Sequence, residues 1–190
     1  SLTGFWESAG APPQGGVSWD PKGLYDPASQ RFFVTSCDSL DTHDLMIGVS
    51  KTSDPTDGWW GFRLDVDPND EHKIDYPQIG VDAEGVYITA IYQSKALERQ
   101  VATLVVVLPK ADLLAPTPSI ANATVFIRDV LGDVGATPHP AINLDGGAGA
   151  VPMLSGREVV VGALAASRIG GTVEAPVIED QTYISVPPVP

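Results

Sequence analysis

The chain has 190 residues, 43% of them hydrophobic, which suits one domain with a substantial core or a short array of repeats and excludes wholesale disorder. Twenty-four acidic residues against 11 basic ones give a formal charge of −13, with no Lys/Arg cluster to offset it, so nucleic-acid binding is disfavoured as a function. The single cysteine, Cys37, has no partner for an internal disulfide, and the longest apolar run, Ala102 to Pro109, falls far short of the ~20 residues that a membrane helix needs.

In chain order, residues 1–16 open without a basic segment followed by an apolar one, so any signal peptide is expected to have been removed or to lie outside this sequence. Within them Phe5-Trp6-Glu7 is expected as an outer strand, the end of a preceding unit or an edge strand. Residues 17–67 then hold four short apolar runs: Gly23 to Asp26, Arg31 to Thr35, Leu45 to Ser50 and Trp59 to Leu64. Cys37 follows Phe32-Phe33-Val34-Thr35-Ser36 and reads as a buried strand residue, not a nucleophile.

Residues 68–130 repeat that order, with Gln78 to Asp82, Gly85 to Thr89, Thr103 to Leu108 and Thr124 to Arg128. Between the last two, Lys110-Ala111-Asp112-Leu113-Leu114 is the only helical candidate, a single turn before Pro116. Residues 131–190 repeat it once more, with Ala141 to Asp145, Gly149 to Met153, Glu158 to Ala165 and Thr182 to Val186, followed by the Pro-rich linker Pro187-Pro188-Val189-Pro190. In each unit an aspartate (Asp26, Asp82, Asp145) ends the first run, and the three are roughly 60 residues apart.

Four strands per unit, each too brief for a helix and separated by turns rich in the chain's 19 Gly and 17 Pro, describe an antiparallel meander. Tandem meanders of this length match β-propeller blades, so the expected fold is all-β, with about three four-stranded blades. Propellers close with ~4–8 blades. The ring is therefore expected to be partial, or completed by other blades of the same or another chain.

The segments Tyr25 to Phe33, Val49 to Trp60 and Asp75 to Asp82 resemble bacterial secreted proteins with sialidase-like (BNR/Asp-box-type) β-propeller repeats. The resemblance covers roughly residues 17–130 and fades in the third unit. It implies a secreted or cell-surface protein and an Asp-box-like hairpin at Ser53, Asp54, Gly58 and Trp59, expanded by Pro55-Thr56-Asp57 and remote from the central face. Sialidase chemistry would need an arginine cluster, and Arg31, Arg63, Arg99, Arg128, Arg157 and Arg168 are scattered, so sialoside hydrolysis is not expected.

Candidate site residues lie just before, or at the start of, the first strands. Asp20, Asp75, Tyr76 and His139 occupy comparable places and are expected to ring the axis as a ligand-binding site; the alternative is a polar ring that only solvates the centre. Asp65, Asp67 and Asn69 alternate as oxygen ligands of a calcium loop do, without the sharp-turn glycine or the bidentate glutamate, and a solvated inter-blade loop is the competing reading. The acidic loop Asp38 to Asp44, with His43, has similar standing. Exposed aromatics, among them Trp59 and Trp60, are candidate sugar platforms, although core packing is the default for each; Asn122-Ala123-Thr124 is a glycosylation sequon. Two functions remain. One is a non-catalytic extracellular segment for carbohydrate or protein binding, adhesion or scaffold assembly. The other is part of a glycoside hydrolase or lyase, completed by further blades, in which Asp20 and Asp75 serve as carboxylates.

Overall fold

The computed structural model describes residues 1–38, 44–129, 134–156 and 162–186. His43, Arg157, the start of the expected strand from Glu158 and the Pro-rich segment from Pro187 lie outside the described residues. Among the described residues, twelve strands form three four-stranded antiparallel sheets, each in simple sequence order. The first holds β1 (Trp19–Asp26), β2 (Arg31–Cys37), β3 (Leu45–Ser50) and β4 (Trp59–Leu64). The second holds β5 (His72–Val81), β6 (Gly85–Ser94), β7 (Arg99–Pro109) and β8 (Thr124–Asp129). In the third are β9 (His139–Pro140), β10 (Val151–Gly156), β11 (Ala163–Thr172) and β12 (Ala175–Ser185).

The second sheet is the middle layer, and its residue alternation says so. Along β6 and β7, Val86, Ile88, Tyr92, Leu104, Val106 and Leu108 pack with Phe33, Leu45, Ile47 and Val49 of the first sheet. The intervening Tyr87, Val105 and Val107 pack with Val151, Met153 and Ile169 of the third. Since neighbouring strand residues point to opposite faces, a strand buried on both sides must be apolar without interruption. That is why Leu104 to Leu108 reads as one continuous run. Each such side chain contributes about 1.5–3 kcal/mol on burial.

The first strands lie side by side, with β5 next to both β1 and β9. Gly80 permits the second approach: a Cβ there would stand 2.5 Å from the Ala141 carbonyl oxygen and 2.9 Å from Pro140. Beyond β9, Val81 bridges Ile142 in parallel, and the Asn143 N–H donates to the Val81 carbonyl at 2.7 Å.

The segment Phe5-Trp6-Glu7 is helical, not an outer strand. It belongs to α1 (Leu2–Ser8), whose N-cap Ser1 hydroxyl accepts from the Gly4 N–H at 3.1 Å. Trp6, Ala9 and Ala11 then cover the face of the first sheet that carries Met46. The cap explains the difference: apolar residues beside a satisfied helix start can bury on a sheet from a helix as well as from a strand. The second helix, α2 (Lys110–Leu113), falls where the sequence places it.

The expected strand Ala141 to Asp145 is also corrected. Strand β9 is only His139–Pro140, and the chain then loops outward to Val151. Asp26 and Asp82 each close the first hairpin of their sheet by accepting backbone N–H groups two and three residues on. In the third unit that local role passes to Asn143, whose Oδ1 accepts from the Asp145 N–H at 3.0 Å. No helix among the described residues is long and apolar enough to cross a membrane.

Candidate functional site

Strands β1 and β5 each break register at the same stage, between Trp19 and Lys22 and between Asp75 and Gln78. At each break one non-glycine residue takes a positive φ: Asp20 at 51° and Tyr76 at 51°. Both directly precede a proline, whose ring further restricts the backbone before it. Aspartate tolerates a left-handed backbone, but a bulky tyrosine there is a genuine outlier, costing on the order of 1–3 kcal/mol. A bulge of this kind re-aims side chains away from the regular pleat.

The two bulges bring the expected residues together. The carboxyl groups of Asp20 and Asp75 are neighbours, and Asp75 Oδ1 accepts from the Tyr76 N–H at 2.9 Å. Burial pushes the Asp75 carboxyl above its ordinary value, and the neighbouring Asp20 adds to the effect. Tyr76 is 43% exposed; its ring meets the His139 ring edge-on at 6.4 Å, and Lys22 Nζ stands 5.2 Å from its centre.

Asp20, Asp75, Tyr76 and His139 thus share one place, although they come from three strands. Lys22 belongs with them and was not anticipated. Its one mark in the sequence is its position two residues beyond Asp20. Below the site, Cys37 pairs across from Trp19 and is fully buried. Burial, reinforced by Asp75 and Asp20, pushes its thiol well above the usual range, so it stays a protonated, inert core group.

The acidic loops behave differently. Asp65 Oδ1 accepts from the Asp67 N–H at 3.0 Å, and Asp67 Oδ2 accepts from the His72 N–H at 2.5 Å and lies 3.2 Å from His72 Nδ1. Burial opposes the Asp67 charge, but the His72 contacts and the Tyr92 hydroxyl outweigh it and hold the carboxyl below its ordinary value. The His72 ring stacks on Tyr92 at 4.4 Å. Asn69 is exposed. Among the described residues no group of three or more His, Cys, Asp or Glu is arranged to hold a metal ion. Nearby, Asp44 pairs with Arg63 at 2.9 Å, yet burial, helped by Asp65, Asp38 and Asp70, raises its carboxyl to about 6.

The hairpin between β3 and β4 is a self-contained turn. Asp54 Oδ1 accepts from the Thr56 N–H and hydroxyl at 2.8 and 2.7 Å, Gly58 takes a φ of 102°, and the Trp59 indole donates to the Pro55 carbonyl at 2.9 Å. The Asp54 side chain is therefore committed to the turn. No family model, curated protein or solved structure matches the chain.

Proposed function

We propose that the three sheets are consecutive blades of a β-propeller, and that Asp20, Lys22, Asp75, Tyr76 and His139 bind a polar ligand, a carbohydrate, where the first strands meet. In this reading the protein is a non-catalytic segment of a secreted or cell-surface molecule that serves adhesion, carbohydrate or protein binding, or scaffold assembly. The observation that carries it is the convergence of these side chains from three successive first strands onto one exposed spot. A paired carboxyl, a cation and an aromatic face supply the hydrogen bonds and the flat apolar surface that a sugar ring uses.

Two further features support the blade reading. Each sheet is a meander in chain order, and first strands neighbour first strands. The third sheet also leaves an apolar face bare: Leu154 and Ile184 are 44% and 49% exposed. A further blade would cover them.

The test is a carbohydrate panel followed by calorimetry on any hit. Tyr76→Ala and Asp75→Asn should each weaken binding at least about tenfold, a loss of about 1.4 kcal/mol. Unchanged affinity in both variants would remove the site. The raised Asp75 carboxyl beside Asp20 favours a second reading, a glycoside hydrolase or lyase whose remaining groups come from other blades, because acid catalysis needs a carboxyl that keeps its proton. Polysaccharide cleavage that disappears in Asp20→Asn and Asp75→Asn would favour it over binding alone.

A further inference from the structure

Lys51 and Trp60 face a groove that the proposed axial site does not use. It is an open depression of about 230 Å³ between the ends of β2, β3 and β4 and the segment that follows α2. Arg31, Ser50, Lys51 and Trp60 form one wall, with Leu114 and Pro116 on the other. That volume falls below the roughly 300–1,000 Å³ of drug-sized ligand pockets, so the groove is sized for a small ligand.

Three observations define its chemistry. Trp60 is 43% exposed although its neighbour Trp59 packs against Phe5, with ring centres 5.1 Å apart. Strand alternation sends the two indoles to opposite faces, and only one face is covered by α1. Next, Lys51 Nζ stands 4.6 Å from the Trp60 ring centre. Finally, neither Arg31 nor Lys51 forms an ion pair among the described residues, on a chain with 24 acidic groups and 11 basic ones. The Arg31 guanidinium is steadied by the Gln30 carbonyl at 3.0 Å. Two cations without carboxylate partners, lining one groove with a half-exposed indole, are the complement of a single anionic group attached to a flat ring.

We infer that this groove is a second binding site, for a carbohydrate carrying one carboxylate, a uronic-acid residue stacked on Trp60 with its carboxylate between Lys51 and Arg31. A polyanion such as a nucleic acid meets repulsion from the remaining surface, whereas a single carboxylate engages the two local cations and little else. The wall is also rigid. Trp60 pairs with Val49 inside the sheet, and the buried Ser50 hydroxyl accepts from the Phe32 N–H at 2.9 Å while donating to the Thr52 carbonyl at 2.7 Å.

The experiment titrates the isotopically labelled chain by NMR with an oligosaccharide carrying one glucuronic acid. The same oligosaccharide with glucose at that position, and adenosine monophosphate, are titrated in parallel. The expected result is a saturable shift of the Trp60 indole N–H, identified by its loss in Trp60→Phe, with the neutral sugar at least about tenfold weaker. Arg31→Gln and Lys51→Gln should each weaken the acidic sugar by a similar factor, and Tyr76→Ala should leave it unchanged. Equal affinity for the neutral sugar, indifference to both cation variants, or no shift at Trp60 would overturn the inference. Tighter binding of the nucleotide would overturn the carbohydrate class. Because Tyr76→Ala reports only on the axial site, failure there and failure here are read separately.

Discussion

Lys110 joins two sheets through a buried charge. Its Nζ lies 2.9 Å from Asp26 Oδ2 in the first hairpin of the first sheet and donates to the Asp82 carbonyl in the first hairpin of the second. Asp26 is 1% exposed and Lys110 5%, so neither charge reaches water. Burial opposes the Asp26 charge, but the Ser29 hydroxyl, Lys110 and the Ala28 N–H hold its carboxyl below the ordinary value. Lys110→Met keeps the apolar stem and removes the ammonium, which strands a buried carboxylate and a carbonyl. Breaking a buried pair in this way costs about 3–5 kcal/mol, a large part of the roughly 5–15 kcal/mol that holds a domain together. Urea unfolding at pH 7 reads the loss. The double variant Asp26→Asn/Lys110→Met should recover most of it, since no charge is then left buried. The depressed Asp26 carboxyl also fixes a sign. Its contribution is present above the unfolded value near 4 and is lost as pH falls through the lower folded value, so acid should destabilise the wild type more than the double variant. A loss below about 1 kcal/mol in Lys110→Met, or no recovery in the double variant, would refute the argument.

Asp44 should act in the opposite sense: its carboxyl is raised from 3.8 to about 6, so stability falls as pH rises across that window, by about 2–3 kcal/mol for a shift of this size. Asp44→Asn is therefore expected to raise the melting temperature at pH 8 more than at pH 4, and equal effects at both pH values would count against it. Trp6→Ala should cost about 3–5 kcal/mol in urea unfolding, because the fully buried ring fills the space above Gly48 beside Val34; a loss under 1 kcal/mol would show that α1 is not part of the core. Millimolar calcium should leave the melting temperature unchanged, since Asp67 is already engaged by His72 and Tyr92; a rise of several degrees over chelator would show that the loop rearranges around the ion. At position 76, glycine should be more stable than alanine by about 1 kcal/mol, because only glycine relieves the positive φ; thermal melts that rank Ala above Gly would show that the bulge is unstrained.

Most strands were legible because their chemistry is local. Val86 to Thr89, Thr103 to Leu108 and Leu45 to Ser50 are β-branched or apolar runs bounded by turn residues, and each lies within a strand. Asp26 and Asp82 were legible for the same reason, since an aspartate that caps its own hairpin needs nothing from the rest of the chain. The errors came where tertiary contact decides. Phe5 and Trp6 bury on the first sheet from a helix, and their apolarity alone does not say which backbone delivers them. The first strand of the third unit was misplaced because Ala141 to Asp145 is apolar enough for a strand, while it is His139 and Pro140 that form the ladder with β10. Lys110 was read correctly as part of a helical turn, yet nothing near it in sequence marks the carboxylate 84 residues away.

The candidate site sits between these cases. Asp20, Asp75, Tyr76 and His139 were grouped because they occupy matching places in repeated units, an inference about register that needs no knowledge of side-chain direction. What the repeat could not supply is the strain. A tyrosine with a φ of 51° before a proline gains nothing for a strand that would pair more completely without the bulge. Such a conformation persists only where the surroundings over-determine it. Here the Tyr76 N–H is held by Asp75, whose carboxyl lies beside Asp20 of the neighbouring first strand. That contact anchors the bulge, which presents the Tyr76 ring to solvent between Lys22 and His139.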